Sequence, residues 1–150
     1  MDFRLRAMEA SDLDAVVAIA SALPEAPRWA RLAYVEAIAS QDGPRRIALV
    51  AENDDGAAGF LVASLVGSEA ELESIAVARF AQRRGAATAL LAALIEDLKG
   101  VGATDLALEV RASNHAARDF YERAGFLEAG VRRGYYRDPQ EDALILKLRI

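Results

Sequence analysis

Hydrophobic and polar positions repeat along this chain with two different periods. Apolar residues that are continuous or alternate with polar ones indicate strands, whereas apolar residues three and four positions apart indicate helices. Strands are therefore predicted at residues 2–8, 45–53, 57–67, 70–78, 104–110, 127–137 and 141–150. Helices are predicted at residues 11–23, 28–40, 85–99 and 114–124.

Residues at the ends of these stretches support the helix predictions. Ser11 or Asp12 suits the N-cap of the first helix, Pro27 the first turn of the second, and Gly100 the end of the third. The third helix also has a continuous apolar stripe at Ala87, Leu90, Leu91, Leu94, Ile95 and Leu98.

The order of these elements is β-α-α-β-β-β-α-β-α-β-β. Strands mixed with helices in this way predict a mixed sheet with helices on both faces. A doubly wound nucleotide-binding fold would show more regular β-α alternation and a glycine-rich turn after the first strand. Neither feature is present, so that fold class is not indicated.

Composition narrows the classes of function. A chain of 150 residues with 53% hydrophobic residues predicts one domain spanning residues 1–150. With no cysteine and a single histidine, His115, no metal site is expected. A net charge of −5 makes nucleic acid an unsuitable partner. The first twenty residues are too charged for a signal peptide, and the longest uncharged run, at 57–68, is too short to span a membrane. We therefore expect a soluble, cytoplasmic protein.

The sequence QRRGAAT, between a predicted strand and a predicted helix, is a candidate phosphate cradle. Gly85 lies at the turn, preceded by Arg83 and Arg84 and followed by the small residues Ala86 and Ala87. Free backbone N–H groups at a helix start can bind a diphosphate when no bulky side chain blocks them. On spacing alone, a helix start with two solvated arginines is an equally good interpretation.

Several motifs together resemble the GNAT acyltransferase superfamily. They are IAV followed by QRRGAA, then LEVRASN, FYERAGF and RRGYY with EDA. Within the superfamily, the chain is most similar to the bacterial ribosomal-protein-alanine N-acetyltransferases. The resemblance implies a single-domain α/β (α+β) fold with a mixed, mostly antiparallel sheet of about seven strands and about four flanking helices.

The resemblance also implies an acetyl-CoA site and no metal. The loop that would hold the diphosphate comprises Arg83, Arg84, Gly85, Ala86, Ala87 and Thr88. The strand whose backbone would pair with the pantetheine arm contains Ile75, Ala76 and Val77. Asn114 is expected to cap its helix and contact the coenzyme.

The same resemblance assigns Glu109 as general base and Tyr121 as the acid that protonates the departing thiolate. Alternation places Glu109 on the opposite face of its strand from Leu106, Leu108 and Val110. The simpler interpretation of Glu109 is a strand-end glutamate paired with Arg111 or with solvent. The simpler interpretation of Tyr121 is a core tyrosine packed beside its neighbour in the helix.

A second acid offers a rival base. Glu73 is expected on the cofactor strand with Ile75 and Val77 on its face, and it ranks below Glu109 because LEVRASN is the more specific match. His115 is expected at the surface. Trp29 and Tyr34 are expected to serve helix packing rather than an acceptor groove.

The last predicted hairpin suggests the acceptor. By resemblance, Tyr135 and Tyr136 would border a peptide groove, pointing to opposite faces if their strand is regular. An α-amine, with a pKa of about 7.7–8.0, is easier to deprotonate than lysine at about 10.4, which favours a protein N-terminus. A small amine or lysine acceptor and a non-enzymatic coenzyme-A sensor remain open, as do a monomer and a homodimer.

Overall fold

Seven strands and four α-helices make up the regular structure of the described residues, in the predicted order. The computed structural model describes residues 2–23, 29–39 and 45–150. The strands are β1 (Arg4–Ala7), β2 (Arg45–Asn53), β3 (Gly56–Val66), β4 (Glu69–Val77), β5 (Asp105–Arg111), β6 (Leu127–Tyr136) and β7 (Glu141–Arg149). The helices are α1 (Leu13–Ser21), α2 (Arg31–Ala39), α3 (Ala86–Gly100) and α4 (His115–Arg123).

All seven strands join one mixed sheet in the order β1-β2-β3-β4-β5-β7-β6. Neighbouring strands are antiparallel except β4 and β5, which are parallel and are connected through α3. The predicted fold class, a mixed and mostly antiparallel sheet flanked by helices, is confirmed.

Helices cover both faces of the sheet, as predicted. The apolar stripe of α3 packs with the buried faces of β2 to β5, β7 and α4 in one core. On the other face, α1 and α2 pack on β2, β3 and the end of β4 in a second core. Tyr34 is fully buried there, with its ring 5.0 Å from that of Trp29, which confirms the packing role expected for this pair.

The parallel strands β4 and β5 separate after a short paired segment. Pairing covers only residues 69–71 of β4 and 105–107 of β5. Beyond Glu71 and Ala107 the facing edges diverge, although each strand still pairs with its other neighbour. The strands therefore leave backbone groups free along both sides of a cleft.

A few helix ends differ from the prediction. Asp12 precedes α1 but makes no side-chain cap, because its carboxylate accepts hydrogen bonds from Arg6 and from the Glu9 N–H. Gly100 is the last residue of α3, and the left-handed turn comes two residues later at Gly102 (φ +81°). The predicted ends of the second helix, residues 28 and 40, lie outside the described residues, as does Pro27.

None of the helices in the described part of the chain combines the length and the apolar character needed to cross a bilayer.

Candidate active site

A cavity of about 620 Å³ occupies the cleft between β4 and β5. Both diverging strands, the first turns of α4 and the turn after β6 contribute to its wall. The predicted site residues in this lining are Ile75, Ala76, Val77, Glu109, Asn114, Tyr121 and Tyr136, together with the rival base Glu73. Residues from four separate motifs of the sequence therefore meet at one place.

A bulge in β4 changes which residues face the cleft. The register with β3 shifts between Val62, which pairs with Ser74, and Ala63, which pairs with Leu72, so Glu73 is an extra residue. Beyond this bulge Ile75 packs with the α3 core, whereas Ser74 is fully buried toward the opposite face. A bulge of this kind bends the strand and disrupts its ladder.

The bulge overturns the expectation that Glu73 shares a face with Ile75 and Val77. The Glu73 carboxylate instead contacts Arg46 of β2, with Oε1 at 3.1 Å from Nε and Oε2 at 3.3 Å from Nη2. Both carboxylate oxygens of Glu73 are engaged by one guanidinium, whereas the ion pair of Glu109 involves Oε1 alone. The geometry therefore favours Glu109 over Glu73 as a base.

Glu109 lies on the face of β5 opposite the buried residues Leu108 and Val110, as alternation predicted. Its side chain is 18% exposed, and Oε1 lies 3.1 Å from Nε of Arg132 on β6. The expected simple partner, Arg111, is engaged elsewhere: it donates to Glu141 and to the carbonyl groups of Pro139 and Arg137. The Glu109 carboxylate is thus partly buried and ion-paired with a residue that the sequence did not single out.

Two other carboxylates lie near Glu109 on β4. Burial, together with the negative charges of Glu109 and Glu73, raises the pKa of Glu71. Glu73 and Glu109 line the cleft and Glu71 lies beside them, so this wall is acidic, although Arg111 and Arg137 also line the cavity. An acidic wall favours the approach of a cationic group such as an amine in its ammonium form.

Asn114 and Tyr121 reach the cavity from one face of α4. The Asn114 side chain caps the helix by accepting a hydrogen bond of 3.2 Å from the Ala117 N–H, as predicted. Tyr121 is buried, with its ring packed edge-on against Phe120 and Phe126 at 5.2 and 5.4 Å. Burial raises the pKa of the Tyr121 phenol, so it remains a proton donor at neutral pH. Both the packing and the cavity-lining interpretations of Tyr121 apply at once.

A second cavity, of about 670 Å³, adjoins the first at Val77 and Gln82. The N-cap of α3, Gly85, has φ +91°, and a Cβ placed there would have no neighbouring atom within 4 Å. The first-turn N–H groups of residues 86–88 have no helical acceptor, as at every helix start. This corner of the molecule therefore presents free donors to open space, which suits a diphosphate.

Most of the predicted loop residues line this cavity. They are Arg83, Gly85, Ala86, Ala87 and Thr88, while the exposed Arg84 lies outside the lining. Four residues of α4, Ala116, Asp119, Phe120 and Arg123, also line the wall and were missed by sequence reasoning. No local motif marks them, because only the packing of α4 beside the loop brings them there.

Tyr135 and Tyr136 do not point to opposite faces. The register of β6 with β7 slips between Arg132 and Tyr136, and the two tyrosine rings lie edge-to-face at 5.2 Å. Tyr136 lines the cleft with the Arg111 guanidinium 4.4 Å above its ring, whereas Tyr135 is 49% exposed. The expectation of a regular strand was wrong, because Gly134 (φ +60°) takes a left-handed turn within it.

This arrangement can move protons across a cleft that has free strand edges. Glu109 offers a carboxylate on one strand, and Tyr121 a phenol from α4, both facing the same cavity. The unpaired backbone of β4 can bind an extended, amide-containing chain by strand-like hydrogen bonds. With no cysteine in the sequence, a cysteine thiolate nucleophile is excluded.

Comparisons with known proteins agree with this geometry. The model of the acetyltransferase (GNAT) family matches residues 13–126. The [ribosomal protein bS18]-alanine N-acetyltransferase of Escherichia coli strain K12 is 38% identical over 148 residues, covering 97% of each chain. The enzyme of that name from Salmonella typhimurium is 46% identical over 110 residues, covering 72% of this chain and 74% of that one.

A solved structure shows the same fold. The crystal structure of the ribosomal-protein-S18-alanine N-acetyltransferase from Escherichia coli is 37% identical and has a TM-score of 0.85. The match covers 99% of this chain and 94% of that one. Family model, relatives and fold agree, and this chain is therefore a member of the GNAT family and an N-acetyltransferase.

Proposed function

We propose that this enzyme transfers an acetyl group from acetyl-CoA to the α-amine of a protein N-terminus. The observation that carries the proposal is the meeting of Glu109 and Tyr121 at one cavity between β4 and β5. The relatives that match almost the whole chain act on the alanine of ribosomal protein bS18, according to their name. By that likeness the acceptor proposed here is the N-terminal alanine of this ribosomal protein, and the compartment is the cytoplasm.

The two adjoining cavities suit the two parts of acetyl-CoA. The free N–H groups and open space at Gly85, with Arg83 beside them, would hold the diphosphate. The unpaired edge of β4 at residues 75–77 would pair with the pantetheine arm, and Asn114 lies at the same cleft. Bound in this way, acetyl-CoA supplies an activated thioester at the point where Glu109 and Tyr121 face the cavity.

The proposed proton transfers balance as follows. Glu109, directly or through a water, takes a proton from the acceptor ammonium, and the neutral amine attacks the thioester carbonyl carbon. The new C–N bond forms as the C–S bond breaks, and Tyr121 donates a proton to the departing sulfur. The nitrogen loses its second proton as the amide forms, restoring the Tyr121 phenol through solvent, and Glu109 releases its proton to solvent.

An α-amine suits a single carboxylate base. Removing its proton at pH 7 costs about 1 kcal/mol, against about 4.6 kcal/mol for a lysine side chain. The acidic wall formed with Glu71 and Glu73 favours a cationic amine and basic residues behind it. Tyr136, at the rim of the cleft, and the exposed Tyr135 are the proposed contacts of the acceptor peptide.

Steady-state kinetics with a panel of acceptors tests this proposal. The panel comprises a peptide that begins with alanine followed by basic residues, the same peptide with a blocked N-terminus, Nα-acetyl-lysine and a small polyamine. We expect kcat/KM to be highest for the free peptide and transfer to be lost when its N-terminus is blocked. Equal activity on the blocked peptide, or activity on the small amines alone, would contradict it.

A further inference from the structure

The proposed base is not free in this structure, because β6 holds it. Arg132 Nε lies 3.1 Å from Glu109 Oε1, and the same guanidinium lies 5.3 Å from the centre of the Tyr135 ring. Arg132 and Tyr135 therefore lie together on one irregular strand segment, with the arginine paired to the carboxylate.

The charges around Glu109 come from three directions. Glu71 lies near it on β4 and Glu73 lines the same cavity, with Arg46 of β2 neutralising Glu73. From β6 it faces Arg132, Tyr135 and Tyr136. Arg111 and Arg137 also line the cavity, and the Arg111 guanidinium is engaged by Glu141 and by the Tyr136 ring. Among the residues that the structure describes, Arg132 is thus the cation paired with Glu109.

We propose that Arg132 is a positioning residue that orients the Glu109 carboxylate in the free enzyme and gives it up to the acceptor ammonium. The proposal rests on the proposed function, in which Glu109 is the base. The arriving ammonium replaces one cation by another at the same carboxylate, so Glu109 is never left as an unpaired, partly buried charge. Half of the Arg132 side chain is exposed, which leaves it room to move aside toward solvent.

The proposal predicts a loss of kcat with little change in the peptide KM. Without the Arg132 guanidinium, the Glu109 carboxylate loses the charged hydrogen bond that holds it in line with the arriving amine, and a misplaced catalytic group slows the chemical step. Arg132→Gln should therefore lower kcat about tenfold, which is the equivalent of one charge-assisted hydrogen bond.

Matched variants separate this effect from a general change in charge. Arg133→Gln makes the same change in net charge at the adjacent, exposed arginine of β6, and it should leave kcat unchanged. Arg132→Lys keeps the charge and should restore most of the wild-type kcat. Thermal melts confirm that each variant is folded.

The decisive experiment measures kcat and KM for an alanine-start peptide at saturating acetyl-CoA and neutral pH. A lower kcat with an unchanged peptide KM in Arg132→Gln, absent in Arg133→Gln, supports the proposal. An unchanged kcat overturns it, and if the peptide KM is then raised, Arg132 is an acceptor-binding residue. Full activity of Glu109→Gln would overturn the proposed base as well, whereas an inactive Glu109→Gln with a wild-type kcat in Arg132→Gln would overturn only the role of Arg132.

Discussion

A glycine at the start of α3 can serve two purposes: it adopts a left-handed backbone, and it leaves space for a ligand beside the free N–H groups. Replacing Gly85 by alanine separates these two purposes. Its φ of +91° lies in the left-handed region, which costs a residue with a Cβ about 1–2 kcal/mol. A Cβ there meets no protein atom within 4 Å, so no steric clash adds to this backbone cost. Gly102, at the other end of the same helix, has φ +81° and is equally open. Gly102→Ala is therefore a control with the same backbone penalty and no contact with the proposed cradle.

The added methyl group should act on the ligand instead. It would project beside the free N–H groups of residues 86–88, where the proposed diphosphate lies. Losing one hydrogen bond to a charged group costs about 1.5–3 kcal/mol, which corresponds to a roughly 10- to 150-fold weaker Kd. At a concentration one hundred times the wild-type Kd, acetyl-CoA should stabilise the wild type by about 2.7 kcal/mol. With a tenfold weaker Kd, Gly85→Ala should gain only about 1.4 kcal/mol.

Thermal melts with and without acetyl-CoA, together with titration calorimetry, measure both effects. Without ligand, both variants should melt a few degrees below the wild type, at about 2–4 °C for each kcal/mol lost. With ligand, Gly102→Ala should show the full wild-type stabilisation and Gly85→Ala a reduced one. If Gly85→Ala binds acetyl-CoA as tightly as Gly102→Ala does, the cradle has been placed wrongly.

Three further predictions concern the cleft. Glu109→Gln should lower kcat by about 10²–10⁴ while keeping acetyl-CoA affinity, and Glu73→Gln should have a much smaller effect; the reverse order in steady-state assays would make Glu73 the base. Tyr121→Phe should lower kcat about tenfold. Because burial raises the pKa of this phenol, it should stay protonated, and the kcat of the wild type should not fall through its ionisation between pH 6 and 9. A loss of activity through ionisation of Tyr121 in that range would contradict its role as donor. Arg111→Gln should raise the peptide KM more than the acetyl-CoA KM, because Arg111 ties the turn after β6 to β5, and an equal rise in both would contradict that role.

Periodicity was sufficient for the fold because most elements bury one continuous apolar face. The stripe of α3 and the alternation of β5 each have one arrangement that removes their apolar residues from water. The meeting of Glu109, Asn114 and Tyr121 at one cavity followed from the resemblance to the acetyltransferase family rather than from periodicity.

Local irregularities could not be predicted in the same way. A single extra residue at Glu73 reverses which side chains of β4 face the cleft, and nothing in the composition of that strand marks it. The slip between Arg132 and Tyr136 likewise brings two tyrosine rings together and aims an arginine at Glu109. These contacts depend on register with a strand distant from β5 in sequence, so single-sequence alternation contains no signal for them.

The central claim, acetyl transfer to an α-amine, is tested most directly by locating the acetyl group on one product. The acceptor is a single peptide that begins with a free alanine and carries an internal lysine, incubated with the enzyme and acetyl-CoA. Tandem mass spectrometry of the product should place one acetyl group on the alanine nitrogen and none on lysine, because the cost of deprotonation differs by about 3.6 kcal/mol. Acetylation of the lysine with an unmodified N-terminus would contradict the account.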